Sequence, residues 1–305
     1  MSYRKDLKIS KLYQEFLATL DKNSYTNKLS HDELIKMFHE ILDDGIFGLG
    51  FSLYEDGQEP GDHITEEQVR RRMKILKPYI KAVRSFSCIE GNEYIPKVAK
   101  ELGIKTLVGA WIGDDPDKNK QEVEALIKLA NEGYVDIAAV GNEVLYRNDI
   151  PKEDLMKHMD EVRAAIPKDI PITYVDAYYE FSVHPDLTDK CDVIMVNCYP
   201  FWESCDIDYS LPHMQQMYGQ ALSAANGKKV IISETGWPSK GENLGAAQPS
   251  DENFLKYFIN TQLWCKHADV ECYYFSSFDE SWKIGDEGDV GAYWGLWDKH
   301  EKLKY

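Results

Sequence analysis

The sequence holds no apolar run close to the ~20 residues that would cross a bilayer, so a membrane partner is not expected. Its start, Met1-Ser-Tyr-Arg-Lys-Asp6, leads into mixed polar residues without the apolar stretch of a secretory leader. A cytoplasmic chain reads this way, and so does a secreted or periplasmic one whose leader has been removed. The six cysteines show no Cys-x-x-Cys spacing, and none of the eight histidines joins them in a ligand pattern. They read as buried thiols, and no metal site is expected. No strand-like run is followed by Gly-x-Gly-x-x-Gly, and no Gly-x4-Gly-Lys-Ser/Thr occurs, so a nucleotide cofactor has no phosphate loop to bind. Basic residues are scarce. Lys+Arg 35 against Asp+Glu 52 leaves a formal charge of −17, which repels nucleic acid and suits a neutral or cationic substrate.

What is present is a globular chain of 305 residues, 43% hydrophobic, with 7 Trp and 19 Tyr. Aromatic rings in that number can stack on the C–H faces of sugars, although Tyr also packs ordinary cores. Eight near-continuously apolar runs read as strands covered on both faces: 46–53, 82–87, 105–111, 136–140, 171–176, 192–199, 229–234 and 271–278. Helix signals fall between most of them. Thr65-Glu-Glu-Gln68 reads as a capping box before 69–80, and 118–131, 214–225 and 254–265 carry amphipathic spacing. Only the connection through 184–190 is too short for a long helix. Eight strands at roughly thirty-residue spacing, with helices between, predict a (β/α)8 TIM barrel rather than a doubly wound sheet. Residues 45–305 form that catalytic domain on this reading. Residues 1–44 form an N-terminal helical extension, with a capping box at Ser30–Glu33, and the helix around 32–42 is expected to fill the gap between the last and first strands.

Barrel active sites lie at the C-terminal ends of the strands. Those ends supply Glu143 after the fourth strand and Glu234 after the seventh, on opposite sides of the mouth. Two carboxyls ~5–5.5 Å apart can cleave a glycosidic bond with retention, one as acid/base and one as nucleophile. Asn142 is placed to hydrogen-bond a sugar 2-hydroxyl. Asp176 is either an acceptor for a sugar hydroxyl or a helix cap. Trp202, Trp237 and Trp282 follow strand ends where a ring can stack on a pyranose or wall the rim, and Tyr54, Tyr178 and Tyr199 offer the same choice less sharply. Gln58 and Asn197 complete the polar collar. Asp286, Glu287 and Asp289 read as a solvated charged loop, since their spacing fits no calcium-binding loop.

Two segments carry a resemblance. Val140-Gly-Asn-Glu-Val-Leu-Tyr-Arg147 and Ile232-Ser-Glu-Thr-Gly-Trp-Pro-Ser239 are similar to the glutamate motifs of glycoside hydrolase family 17, the β-1,3-glucanases and glucan transglycosylases. Gly57-Gln-Glu-Pro-Gly61 resembles that family's Gly-Gln-x-Pro element, and Phe278-Asp-Glu-Ser-Trp-Lys283 with Gly295-Leu-Trp-Asp298 its closing segment. The resemblance runs from about residue 45 onward. It implies a retaining barrel enzyme with Glu143 as acid/base and Glu234 as nucleophile, bordered by Glu280 and Lys283, with Lys283 pairing to Glu234. The implied substrate is a β-1,3-glucan or its oligosaccharides, cleaved by hydrolysis or by transfer to a second sugar; a catalytically silent glycan-binding barrel is the remaining alternative, and it would require a lost carboxylate where both glutamates are present. A monomer without a cofactor is expected.

Overall fold

The computed structural model describes residues 25–305 except Asp286; the part of the helical extension in 1–24 lies outside the described residues. Eight parallel strands close a barrel in sequence order, β1 pairing with both β2 and β8. They are β1 (Ile46–Gly50), β2 (Ile80–Ser85), β3 (Lys105–Ala110), β4 (Ile137–Asn142), β5 (Ile172–Ala177), β6 (Ile194–Asn197), β7 (Val230–Thr235) and β8 (Cys272–Tyr274). The side-chain alternation of a strand sends one set inward and the next outward. Ala82, Leu107, Ala139, Val175, Met195, Ile231 and Tyr273 form the small core inside the barrel. Their sequence neighbours face the helices in two larger clusters outside it. Strands buried on both faces therefore read as unbroken apolar runs.

The run expected to extend to Phe278 stops as a strand at Tyr274. Beyond it the backbone groups leave the ladder for other partners. Ser276 donates to the Trp294 carbonyl, and Ser277 donates to that of Gly50. The helix expected from Met214 instead begins at Ile207, capped by the Asp206 side chain on Asp208 N–H, and continues through Pro212 to Ala224. The Thr65 box is half formed. Thr65 caps Gln68, but the Gln68 amide turns away to the Leu53 carbonyl at 3.0 Å.

The helix His31–Asp44 begins in a complete capping box between Ser30 and Glu33. Leu34, Phe38 and Leu42, spaced four apart, form its buried face. That face joins the cluster holding Ile46 and Leu49 of β1 and Tyr274 of β8. Phe38 meets Phe258 of the helix Asp251–Ala268 at 4.9 Å and Tyr305 at 5.7 Å. The end of the chain is tied in as well: Lys304 Nζ pairs with Asp279 at 2.9 Å, and Arg72 reaches Glu301 at 3.1 Å. All six cysteines are buried free thiols.

Candidate active site

Glu143 stands where β4 breaks from its partner. The β4–β5 register shifts between Ala139 and Asn142, and Gly141 takes φ +87°. A Cβ on Gly141 would meet Val144 Cγ2 at 2.8 Å, so the turn requires glycine on both counts. Glu143 itself lies in the left-handed region, φ 52° and ψ 31°, a conformation costly for a non-glycine residue. Its N–H donates to the Val175 carbonyl at 2.8 Å. Glu234 lies on β7 opposite Asn197, where the β6–β7 register also shifts. Two residues later, Gly236 passes so near the β8 backbone that a Cβ would sit 2.2 Å from the Phe275 carbonyl oxygen.

The two carboxylates meet through Asn197. Its Nδ2 donates to Glu143 Oε1 at 2.8 Å and to Glu234 Oε1 at 3.1 Å, and Ser233 Oγ holds the amide by donating to its Oδ1 at 2.8 Å. Those two lengths bound the separation of the two oxygens at about 5.9 Å. A retaining pair fits within that limit, whereas an inverting pair keeps ~6.5–9.5 Å for a water.

Glu234 has further donors. Arg84 Nη1 reaches its Oε1 at 2.5 Å, and Tyr199 Oη reaches its Oε2 at 2.7 Å. The other Arg84 arm donates to Asn142 Oδ1 at 2.6 Å, so one planar guanidinium fixes the nucleophile candidate and the 2-hydroxyl candidate together. Arg84 shares the inward face of β2 with Ala82, and it was not among the residues singled out from sequence. Its signal was present: a lone arginine inside an apolar strand can be buried only with a partner.

Lys283 makes its direct ion pair with Glu280 rather than with Glu234, although the Glu234 charge still acts on it. It binds Glu280 Oε2 at 2.9 Å and lies 4.3 Å over the Phe275 ring, because its position one turn after Glu280 brings those two together. Burial opposes its charge, yet Glu280, Glu287 and Glu234 hold its pKa above the usual lysine value. Asp289 is exposed as expected of a solvated loop, but Glu287 is half-buried and lines the cleft. Burial, with Glu234, Glu280 and Glu143 nearby, pushes it up to about 7 against the pull of Lys283. Asp286 lies outside the described residues.

A cavity of about 630 Å³ opens over the pair, within the size range of small-ligand sites. Tyr54, Asn142, Glu280, Trp282 and Lys283 line it beside both glutamates. Tyr54 packs edge-on against Trp282 at 5.5 Å, and burial raises its phenol to about 12. The other candidates stand elsewhere. Trp237 is fully buried, between Phe201 and Tyr257, with its indole N–H on the Gln248 carbonyl, so it offers no face to a sugar. Asp176 shares the outward face of β5 with Tyr174 and is bonded to that phenol, away from the barrel axis; it also accepts from Tyr146 N–H at 3.3 Å, a first-turn donor of the short helix Val144–Arg147, so it serves a helix start rather than a sugar. Burial, then the Glu143 charge, raises its pKa. Gln58 accepts from Glu55 N–H and Gln68, and so braces its own turn. Tyr178 donates to Glu203, whose carboxylate meets His213 at 2.6 Å, and Trp202 leans on Trp294 at 5.5 Å; both stand outside this cavity.

Comparison with known proteins gives a consistent picture. Residues 48–295 match the BtgE/BtgC glycoside hydrolase domain. A glucan 1,3-beta-glucosidase of Arthroderma benhamiae is 29% identical, over 84% of this chain and 89% of its own. One of Schizosaccharomyces pombe is 26% identical, over 76% and 78%. The crystal structure of the glycoside hydrolase family 17 beta-1,3-glucanosyltransferase of Rhizomucor miehei superposes with a TM-score of 0.77 at 30% identity, over 86% of this chain and 96% of that one. An active-site mutant of that enzyme, in complex with laminaritriose, superposes equally well. The chain belongs to glycoside hydrolase family 17, with residues 48–295 forming its BtgE/BtgC-type glycoside hydrolase domain.

Proposed function

We propose that this enzyme cleaves β-1,3-glucosidic linkages of laminarin-type glucans or oligosaccharides by double displacement. The observation that carries the reading is the Asn197 amide, which reaches both carboxylates from one nitrogen. Glu234, held by Arg84, Asn197 and Tyr199, has the donors that steady an anionic nucleophile in position for attack on the anomeric carbon. Glu143 gives its proton to the departing glycosidic oxygen, and an ester links the sugar to Glu234. Glu143 then takes a proton from the incoming acceptor, which displaces Glu234 from the anomeric carbon and restores the original configuration. Asn142 faces the cleft with its Oδ1 held by Arg84, which leaves its amide donor for the 2-hydroxyl. Both carboxylates come from one chain, so a monomer suffices. The relatives named as glucan 1,3-beta-glucosidases support the substrate class.

When the acceptor is a second sugar rather than water, the same steps lengthen the glucan. The Rhizomucor miehei glucanosyltransferase favours that variant. Product masses from linear β-1,3-gluco-oligosaccharides test both readings. Shorter products alone mean hydrolysis, and products longer than the substrate alongside the shorter leaving fragment mean transfer. Glu143→Gln should lower turnover by roughly 10²–10⁴-fold, and Glu234→Gln by roughly 10³-fold or more. Undiminished activity in both variants would refute the assignment.

A further inference from the structure

The cleft does not end at the carboxylate pair. It continues past the ends of β2 and β3 to Trp111, which follows β3 directly. Trp111 is 40% exposed, and no other tryptophan of the chain is as open to solvent. It is also held firmly. The Arg147 guanidinium lies over its ring at 4.5 Å and is itself fixed by Asp149 at 2.8 Å and the Asn142 carbonyl at 2.7 Å. Buried Glu122 accepts from the Trp111 backbone N–H as well as from Cys88 N–H at 2.7 Å. Asn119 closes the loop behind the ring, bonding both the N–H and the carbonyl of Gly113 at 2.8 and 2.7 Å.

A large apolar ring left exposed yet braced from several sides needs an occupant for its open face. A pyranose presents a C–H face to such a ring and a rim of hydroxyls to the polar groups around it. Those groups are present: Glu90, Asp114 and Lys118 line the same stretch of the cleft. From this arrangement we infer that Trp111 is the platform of a distal glucosyl subsite, which makes the enzyme favour longer glucan chains over short ones. The inference rests on the proposed β-1,3-glucan reading.

Initial rates on β-1,3-gluco-oligosaccharides of three and six units, with wild type, Trp111→Ala and Trp111→Phe, give the first test. The hexamer-to-trimer ratio of kcat/KM should fall tenfold or more in Trp111→Ala and recover in part in Trp111→Phe. Equal losses on both lengths would mean that Trp111 only shields Arg147, and the platform would be abandoned; an unchanged ratio would end it too. Calorimetric titration of the hexamer into Glu234→Gln, with and without Trp111→Ala, reads the site without turnover. Tenfold weaker binding on removal of Trp111 supports the platform, and equal affinity overturns it. A wild-type enzyme inert on both oligosaccharides, with no binding of the hexamer, would instead strike down the β-1,3-glucan reading on which the platform depends.

Discussion

Arg84 shows how much of this site depends on one side chain. Its guanidinium is almost fully buried and bonds Glu234, the Ser233 carbonyl and Asn142. Replacing it with Met removes the cation from a buried carboxylate. Breaking a buried pair from one side costs about 3–5 kcal/mol. Urea unfolding of Arg84→Met should show a loss of that order, together with near-complete loss of turnover; a variant of wild-type stability would contradict the pairing. Lysine would keep the charge but not the planar fork that reaches Glu234 and Asn142 at once. Glu122 behaves differently. Burial pushes it up to about 7, against donors at Ser87, Cys88 and Trp111. A carboxyl raised on folding keeps its proton in the native state while the unfolded chain loses it, so it withdraws stability as pH rises from about 4.5 to about 7. Over that window the stability difference between Glu122→Gln and wild type should move in the variant's favour by roughly 3 kcal/mol. Unfolding measured at pH 4, 6 and 8 checks this, and a pH-independent difference would contradict it.

Among the elements, the helix His31–Asp44 is the clearest case of a segment outside the matched domain that packs as part of the barrel's shell. Phe38 is fully buried against Phe258 and Tyr305. Truncation to Ala should cost about 3–5 kcal/mol by thermal or urea unfolding. A cost near zero would mean the helix is dispensable to the folded body. The strands were legible because parallel strands covered on both faces read as apolar runs. Their ends were less so. A run such as Glu271–Phe278 stays apolar after its hydrogen bonds have left the ladder, because the chain then packs against Trp294 and Trp297. The register shifts beside Asn142 and Glu143 and beside Glu234 have no pattern in the sequence, except that Gly141 marks the first.

For the molecule taken together, the pair of glutamates was legible because strand ends four and seven face each other across a barrel mouth, whatever the loops do. The supporting groups were not. Arg84 and Glu122 act through bonds to residues distant in sequence, Glu234 and Cys88, and Glu287 through its place in the cleft, so residue type alone gave them bland roles in a strand, a helix and a loop. Tryptophan position was misleading for a related reason. Trp237 follows a strand end as Trp111 does, but the former was drawn into the aromatic core around Phe201 and Tyr257, and the latter was left facing the cleft. A strand end fixes where a side chain starts, and packing decides where it points.

In the double displacement, Glu234 forms an ester with the sugar while Glu143 handles the proton. A β-laminaribiosyl fluoride carrying fluorine at C2 slows the second displacement and lets that ester accumulate. Intact mass followed by peptide mapping of the inactivated enzyme is the direct test. One laminaribiosyl adduct is expected, on the peptide containing Glu234. An adduct on Glu143, Glu280 or Glu287, or no adduct while the enzyme releases the α-anomer of its product, would contradict it.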